Sequence, residues 1–214
     1  MRRLPLAAAS AAALIAAFAI PSAAAAPVIH TAPLVAPAKD RYAVGDSVML
    51  GAKSNLKGKG FKIVDAVESR QAYLGPSLLR KRGVTLPKNV VVHLGTNGTF
   101  PLSVCKKIVS AAGPDRRVFL VTVHVPRSWQ KPNNKVIRQC DSAFAADRVH
   151  VIDWNTAVKA HPKWLYGDHT HLRPAGAKGF ASLIDYNVDQ AVAAAHKRAV
   201  DAAAGAGSAG TVTL

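Results

Sequence analysis

Five short apolar runs, each ended by a polar or glycine-bearing corner and followed by a helical stretch, constrain this chain more than any other feature. The runs are Arg41 to Val44, Phe61 to Val67, Asn89 to Leu94, Arg117 to Val123 and Val149 to Trp154. They are near-continuously apolar and rich in Val and Ile, as strands covered on both faces are, whereas a half-exposed strand would alternate. Stretches of helical character lie between them at 48–57, 72–82, 102–112 and 134–146, with a longer one from Pro174 to about Ala203. Alternation of this kind predicts an α/β domain, a five-stranded parallel sheet sandwiched between two helical layers. In such a sheet the chemistry gathers at the carboxyl ends of the strands.

That domain occupies 41–203. Ahead of it, Arg2 and Arg3, an apolar stretch from Leu4 to Ile20 and the small residues Ala24-Ala25-Ala26 read as an export signal over 1–26. The stretch is close to membrane-spanning length, so an uncleaved anchor is the competing reading. Residues 27–40 read as an extended linker, and 204–214 as a low-complexity, disordered tail. The chain holds 28 Lys and Arg against 12 Asp and Glu, a net charge of +16; losing Arg2 and Arg3 with the signal leaves about +14. These cations are scattered rather than striped, and no nucleic-acid motif accompanies them, so nucleic acid is not the expected partner. Attraction to anionic wall polymers or membrane surfaces, and a solubility trait with no partner, account for the charge equally well. An exported protein meets oxidising surroundings, where Cys105 and Cys140 would close one disulfide loop of about 35 residues. Two buried free thiols are the alternative.

Ser47 falls where the first strand ends and a helix begins, in Gly45-Asp46-Ser47. A serine there presents its hydroxyl at the sheet edge and its own N–H at a helix start, where an oxyanion can be stabilised. Serine is equally at home in that position as a helix N-cap. A nucleophilic serine needs a base, and the base needs an orienting carboxylate. Both stand in Gly167-Asp168-His169-Thr170-His171, with Asp168 and His171 spaced for one tight turn. His169 and His171 also have the alternate spacing of metal ligands, but a closed site needs about four and no Cys or Glu cluster assists. No metal or other cofactor is expected. Asn97, in Gly95-Thr96-Asn97-Gly98, could donate a second hydrogen bond to an oxyanion or simply suit the turn. Nucleophile, amide donor and Asp–His pair all fall at strand ends on one side of one sheet.

These residues resemble the SGNH hydrolase superfamily, also called the GDSL esterases. The match runs through Gly45-Asp46-Ser47, Gly95-Thr96-Asn97 and Asp168 to His171, in the family's order. The resemblance implies a flavodoxin-like sandwich with Ser47 as nucleophile, His171 as base, Asp168 as orienting acid and Asn97 as oxyanion donor. It places Ser69 where the family usually has a glycine whose N–H joins the oxyanion hole, and gives Asp46 a hydrogen-bonding role. Val64-Asp65-Ala66, Ser69-Arg70-Gln71, Gly95 to Phe100 and Val125-Pro126-Arg127 with Trp129 look more narrowly like the extracytoplasmic domain of peptidoglycan O-acetyltransferases. On that likeness Arg127 and Trp129 shape the acceptor side. The expected function is then that of a secreted, monomeric serine esterase or O-acyltransferase acting on acylated carbohydrate or cell-wall glycan, with a separate membrane protein as a conceivable acyl donor. A non-catalytic wall-binding module that keeps the fold is the alternative.

Overall fold

The computed structural model describes residues 40–145 and 147–208. Five strands form one sheet: β1 Arg41–Gly45, β2 Ile63–Ala66, β3 Asn89–His93, β4 Arg117–Val121 and β5 Val149–Ile152. Their order is β2-β1-β3-β4-β5 and every neighbouring pair is parallel. The direction of winding reverses between β1 and β3, which opens a crevice beyond the carboxyl ends of those two strands.

The helices are α1 Ser47–Gly51, α2 Lys53–Gly58, α3 Gly75–Arg82, α4 Leu102–Ala112, α5 Gln130–Ser142, α6 Trp154–Ala160 and α7 Pro174–Ser208. Successive strand residues point to opposite faces, and each face has its own core. Ala43, Val91 and Phe119 pack with Met49, Leu56, Trp154, Phe180 and Ile184, from α1, α2, α6 and α7. Val44, Val90, Val92 and Leu120 pack with Leu79, Ile108 and Ile137, from α3, α4 and α5. The expected three layers are present.

The elements differ in detail from the sequence reading. The stretch 48–57 is two helices broken at Ala52, and 72–82 begins as a 3₁₀ turn over Ala72–Leu74. α5 starts at Gln130, four residues early, because Pro132 falls in its first turn, where no N–H is needed. The fifth strand stops at Ile152; Asp153 caps α6 by accepting from Thr156 N–H, so Trp154 is helical. α7 continues through Ser208, past the expected end at 203, on alanines that favour helix. The rest of the tail, the export signal and linker positions 27–39 lie outside the described residues. No described helix is long and apolar enough to cross a membrane.

Two cross-links hold the layers. Arg41, only 3% exposed, pairs from β1 with Asp185 and Asp189 on α7, and Lys59 reaches Asp185 at 3.2 Å. Burial pushes the Asp185 carboxyl up, but Arg41 and Lys59 outweigh it and hold the group below its usual range. On the other face, Cys105 of α4 is bonded to Cys140 of α5, with Cα atoms 6.3 Å apart. The bond spans 35 residues, and closing a loop of that size in the unfolded chain is worth about 2–4 kcal/mol. A double Cys105→Ser, Cys140→Ser variant is expected to lose stability of that order, read as a lower urea midpoint with a somewhat steeper slope, because the unfolded chain is freed to expand.

Candidate active site

β1 ends at Gly45 and the chain turns directly into α1. A Cβ on Gly45 would lie 2.5 Å from Cβ of Met49, so only glycine lets the helix fold back this closely over the strand end. Asp46 is the N-cap: its side chain accepts from the Val48 N–H at 3.2 Å. The capping role read for Ser47 therefore belongs to Asp46, and Ser47 is the first helical residue, its hydroxyl free for another partner. The Asp46 carboxylate has no solvent exposure. Its Oδ1 also meets His93 Nδ1 at 3.2 Å, and its Oδ2 accepts the Thr96 N–H at 3.3 Å.

The Asp168–His171 loop is closed by a bridge between Leu165 and Leu172 and by a 2.9 Å bond from Tyr166 N–H to the His171 carbonyl. Asp168 Oδ1 accepts the backbone N–H groups of Thr170 and His171, both at 3.0 Å. Its Oδ2 lies 2.6 Å from His171 Nδ1, and His171 Nε2 lies 3.1 Å from Ser47 Oγ. Slight burial pushes the Asp168 carboxyl up, but the hydrogen bonds from His171 and Thr170 win and pull its pKa down to about 2. An ionised Asp168 accepts a hydrogen bond from Nδ1–H, which fixes the proton on Nδ1 and leaves Nε2 to accept from the serine hydroxyl. His169 takes the left-handed conformation, φ +54°, and stays out of this line.

The β2 corner supplies the facing wall. Arg70 is buried and bonds Asp65 Oδ1 at 2.8 Å, the Gly45 carbonyl at 3.2 Å and the Asp65 carbonyl. Burial pushes the Asp65 carboxyl up, and Arg70 more than offsets this. The turn just before Arg70 places Ser69 at φ +56°, the region that favours glycine. Asn97 Nδ2 is 3.5 Å from the Arg70 carbonyl. Ser47, Ser69, Asn97, Arg127, Trp129, Asp168 and His171 all line one cleft of about 400 Å³. The seven residues singled out in the sequence are thus brought together. An adjoining cleft lined by Leu50, Gly51 and Glu68 shares Ser47, Ser69, Asn97 and His171 with it.

Other residues of the site were not legible beforehand. Asn133 Nδ2 donates to the carbonyls of Gly95 at 2.9 Å and Gly98 at 2.7 Å, while its Oδ1 accepts the Phe100 N–H at 2.8 Å. That one buried side chain shapes the loop carrying Asn97. Asn134 does the same for Val123, and Trp129 is anchored by a 3.2 Å bond to the Thr96 carbonyl. Among the described residues no cluster of His, Cys, Asp or Glu is arranged to hold a metal.

The five-stranded parallel sheet and its flanking helices superpose on solved structures. The chain has the SGNH hydrolase fold. The C-terminal catalytic domain of Streptococcus pneumoniae peptidoglycan O-acetyltransferase A superposes with a TM-score of 0.58 at 23% identity, covering 75% of this chain and 94% of that one. A G-D-S-L family protein from Desulfitobacterium hafniense gives 0.52 at 17% identity, covering 68% and 97%. In sequence, a Bacillus subtilis protein bearing the name of a peptidoglycan O-acetyltransferase is 34% identical over 150 residues, 69% of this chain. The chain spans less than a quarter of that relative's length, 23%. No family model matches. The SGNH resemblance read from the sequence and the expected sandwich both hold.

Removing the buried carboxylate should show how much the site's scaffold depends on it. Asp46→Ala is expected to lose about 3–5 kcal/mol of stability, since it strips a cap and two further donors of their acceptor. Asp46→Asn, which keeps an acceptor, should lose less; urea unfolding of both variants measures the difference.

Proposed function

We propose that this chain is an extracytoplasmic serine O-acyltransferase or esterase that acts on ester groups of cell-wall carbohydrate through an acyl-enzyme on Ser47. The observation that carries the reading is the unbroken line from Asp168 through His171 to Ser47, at 2.6 and 3.1 Å, on the floor of a cleft at the strand ends. The names of the relatives supply the carbohydrate: they refer to peptidoglycan O-acetyl transfer.

His171 Nε2 takes the Ser47 proton as Oγ attacks the ester carbonyl. The charge that develops on the carbonyl oxygen needs donors already in place. The first N–H groups of a helix have no intrahelical partner. Asp46 occupies that of Val48, which leaves the Ser47 N–H, with the Ser69 N–H and Asn97 Nδ2 as its companions. The imidazolium then gives its proton to the leaving alcohol, and Ser47 holds the acyl group. In the second half a water or a carbohydrate hydroxyl loses its proton to His171 and attacks the acyl-serine, and His171 returns that proton to Ser47 Oγ as the acyl–Oγ bond breaks. Asp168 keeps its charge throughout and steadies the imidazolium. No step requires a cofactor.

Acetyl release from an aryl acetate, with and without a chitooligosaccharide, tests the reading. Faster release with acetylated sugar appearing identifies a transferase, and release indifferent to sugar an esterase. Absence of release from the folded protein would leave a binding module. Ser47→Ala is expected to lower turnover by roughly 10⁴-fold or more with folding intact.

The pH profile adds an independent check. Asp168 is held down to about 2, so a loss of kcat/KM on acidification well above that pH is not titration of this carboxylate. Asp168→Asn removes the charge that favours imidazolium. It should lower kcat by about 10²–10⁴-fold; an unchanged kcat would count against Asp168 as the orienting group.

A further inference from the structure

Next to the catalytic cleft, and sharing Val125, Pro126 and Arg127 with it, lies another groove of about 610 Å³. His124, Lys131 and His169 join Arg127 along its walls, and no lining residue is acidic. The frame is fixed without these side chains. Gln130 Oε1 accepts the Val125 N–H at 2.7 Å, Arg127 N–H donates to the Val125 carbonyl at 2.7 Å, and Gln130 N–H donates to the Arg127 carbonyl at 3.1 Å. His124 holds Asn155 Oδ1 through Nδ1 at 2.9 Å.

The left-handed turn at His169 separates its ring from the neighbouring His171. His171 serves the catalytic line, while His169 lines this groove. Arg127 and Lys131 are exposed and form no ion pair among the described residues, although Arg41, Arg70 and Arg138 each have a carboxylate. Cations gathered without counter-charge repel one another, and an oxyanion placed among them relieves that repulsion while accepting their N–H groups.

We infer that this groove is a subsite for an oxyanion, a carboxylate or phosphate ester, carried by the glycan beside the hydroxyl or ester that meets Ser47. The preferred substrate is then a negatively charged carbohydrate, an inference that rests on the acyl-transfer reading of the adjoining cleft.

Binding can be measured without turnover by titrating the Ser47→Ala protein in a calorimeter with chitotetraose, its carboxymethyl derivative and its 6-phosphate. At least one charged ligand is expected to bind about tenfold more tightly than the neutral one, as two exposed ion pairs allow. The advantage should shrink with added salt. It should vanish in a variant that also carries Arg127→Gln and Lys131→Gln, and return in part with Lys131→Arg in place of Lys131→Gln. The tighter of the two charged ligands identifies the oxyanion.

Equal affinity for charged and neutral sugars, or a preference that survives the Gln substitutions, would overturn the subsite. Aryl acetate turnover by the wild-type chain is read separately. Charge preference without turnover would remove the acyl-transfer reading and leave the groove; turnover without charge preference would do the reverse.

Discussion

The Asp46 carboxylate is sealed from solvent, yet three separate parts of the chain meet on it: the α1 backbone at Val48, the β3 side chain of His93 and the following loop at Thr96. A buried carboxylate without partners would cost several kcal/mol. With its oxygens occupied it becomes a joint that sets the end of β1 against the end of β3. The switch-point crevice lies between those same ends, so the joint fixes where Ser47 stands relative to Asn97. Gly45 is part of the same construction, because α1 approaches the strand too closely for any side chain there.

Asp168 is the same residue type in an opposite setting. Its side chain is half exposed and its partners come from its own loop, so it is the loop that aims His171. The wall bearing Asn97 is held from a third direction. Asn133 clamps the 95–100 loop from α5, and the disulfide fastens α5 to α4, the helix that this loop enters. Each catalytic candidate is thus positioned by a different device: a buried carboxylate, a tight turn and a cross-linked pair of helices.

What was legible in the sequence was local. Val-rich runs identified the strands because burial on both faces leaves little room for polar residues. Asp168 and His171 were legible because three residues of spacing suffice for one turn. The misjudged details have equally local causes. Ser and Asp both make good caps, and only the backbone geometry around residue 46 shows which one does the capping. Trp154 prolonged an apolar run that Asp153 in fact ends, and Pro132 masked the start of α5. The contacts that hold the site were invisible for another reason. Asp46 and His93 stand 47 residues apart, Arg41 and Asp185 144, and Asn133 meets carbonyls 35 and 38 residues away. No periodicity or spacing rule connects positions so distant until the fold brings them together.

The serine and the imidazole that share a hydrogen bond are 124 residues apart, one at the first strand end and the other after the last. A ribosome therefore delivers the hydroxyl long before it delivers the base, and only the folded domain brings the two together. On the proposed mechanism, until the Asp168–His171 loop closes the growing chain holds only an ordinary alcohol at Ser47. On that same mechanism, reactivity therefore waits for the 165–172 loop to close against the finished sheet, with α7 still to follow.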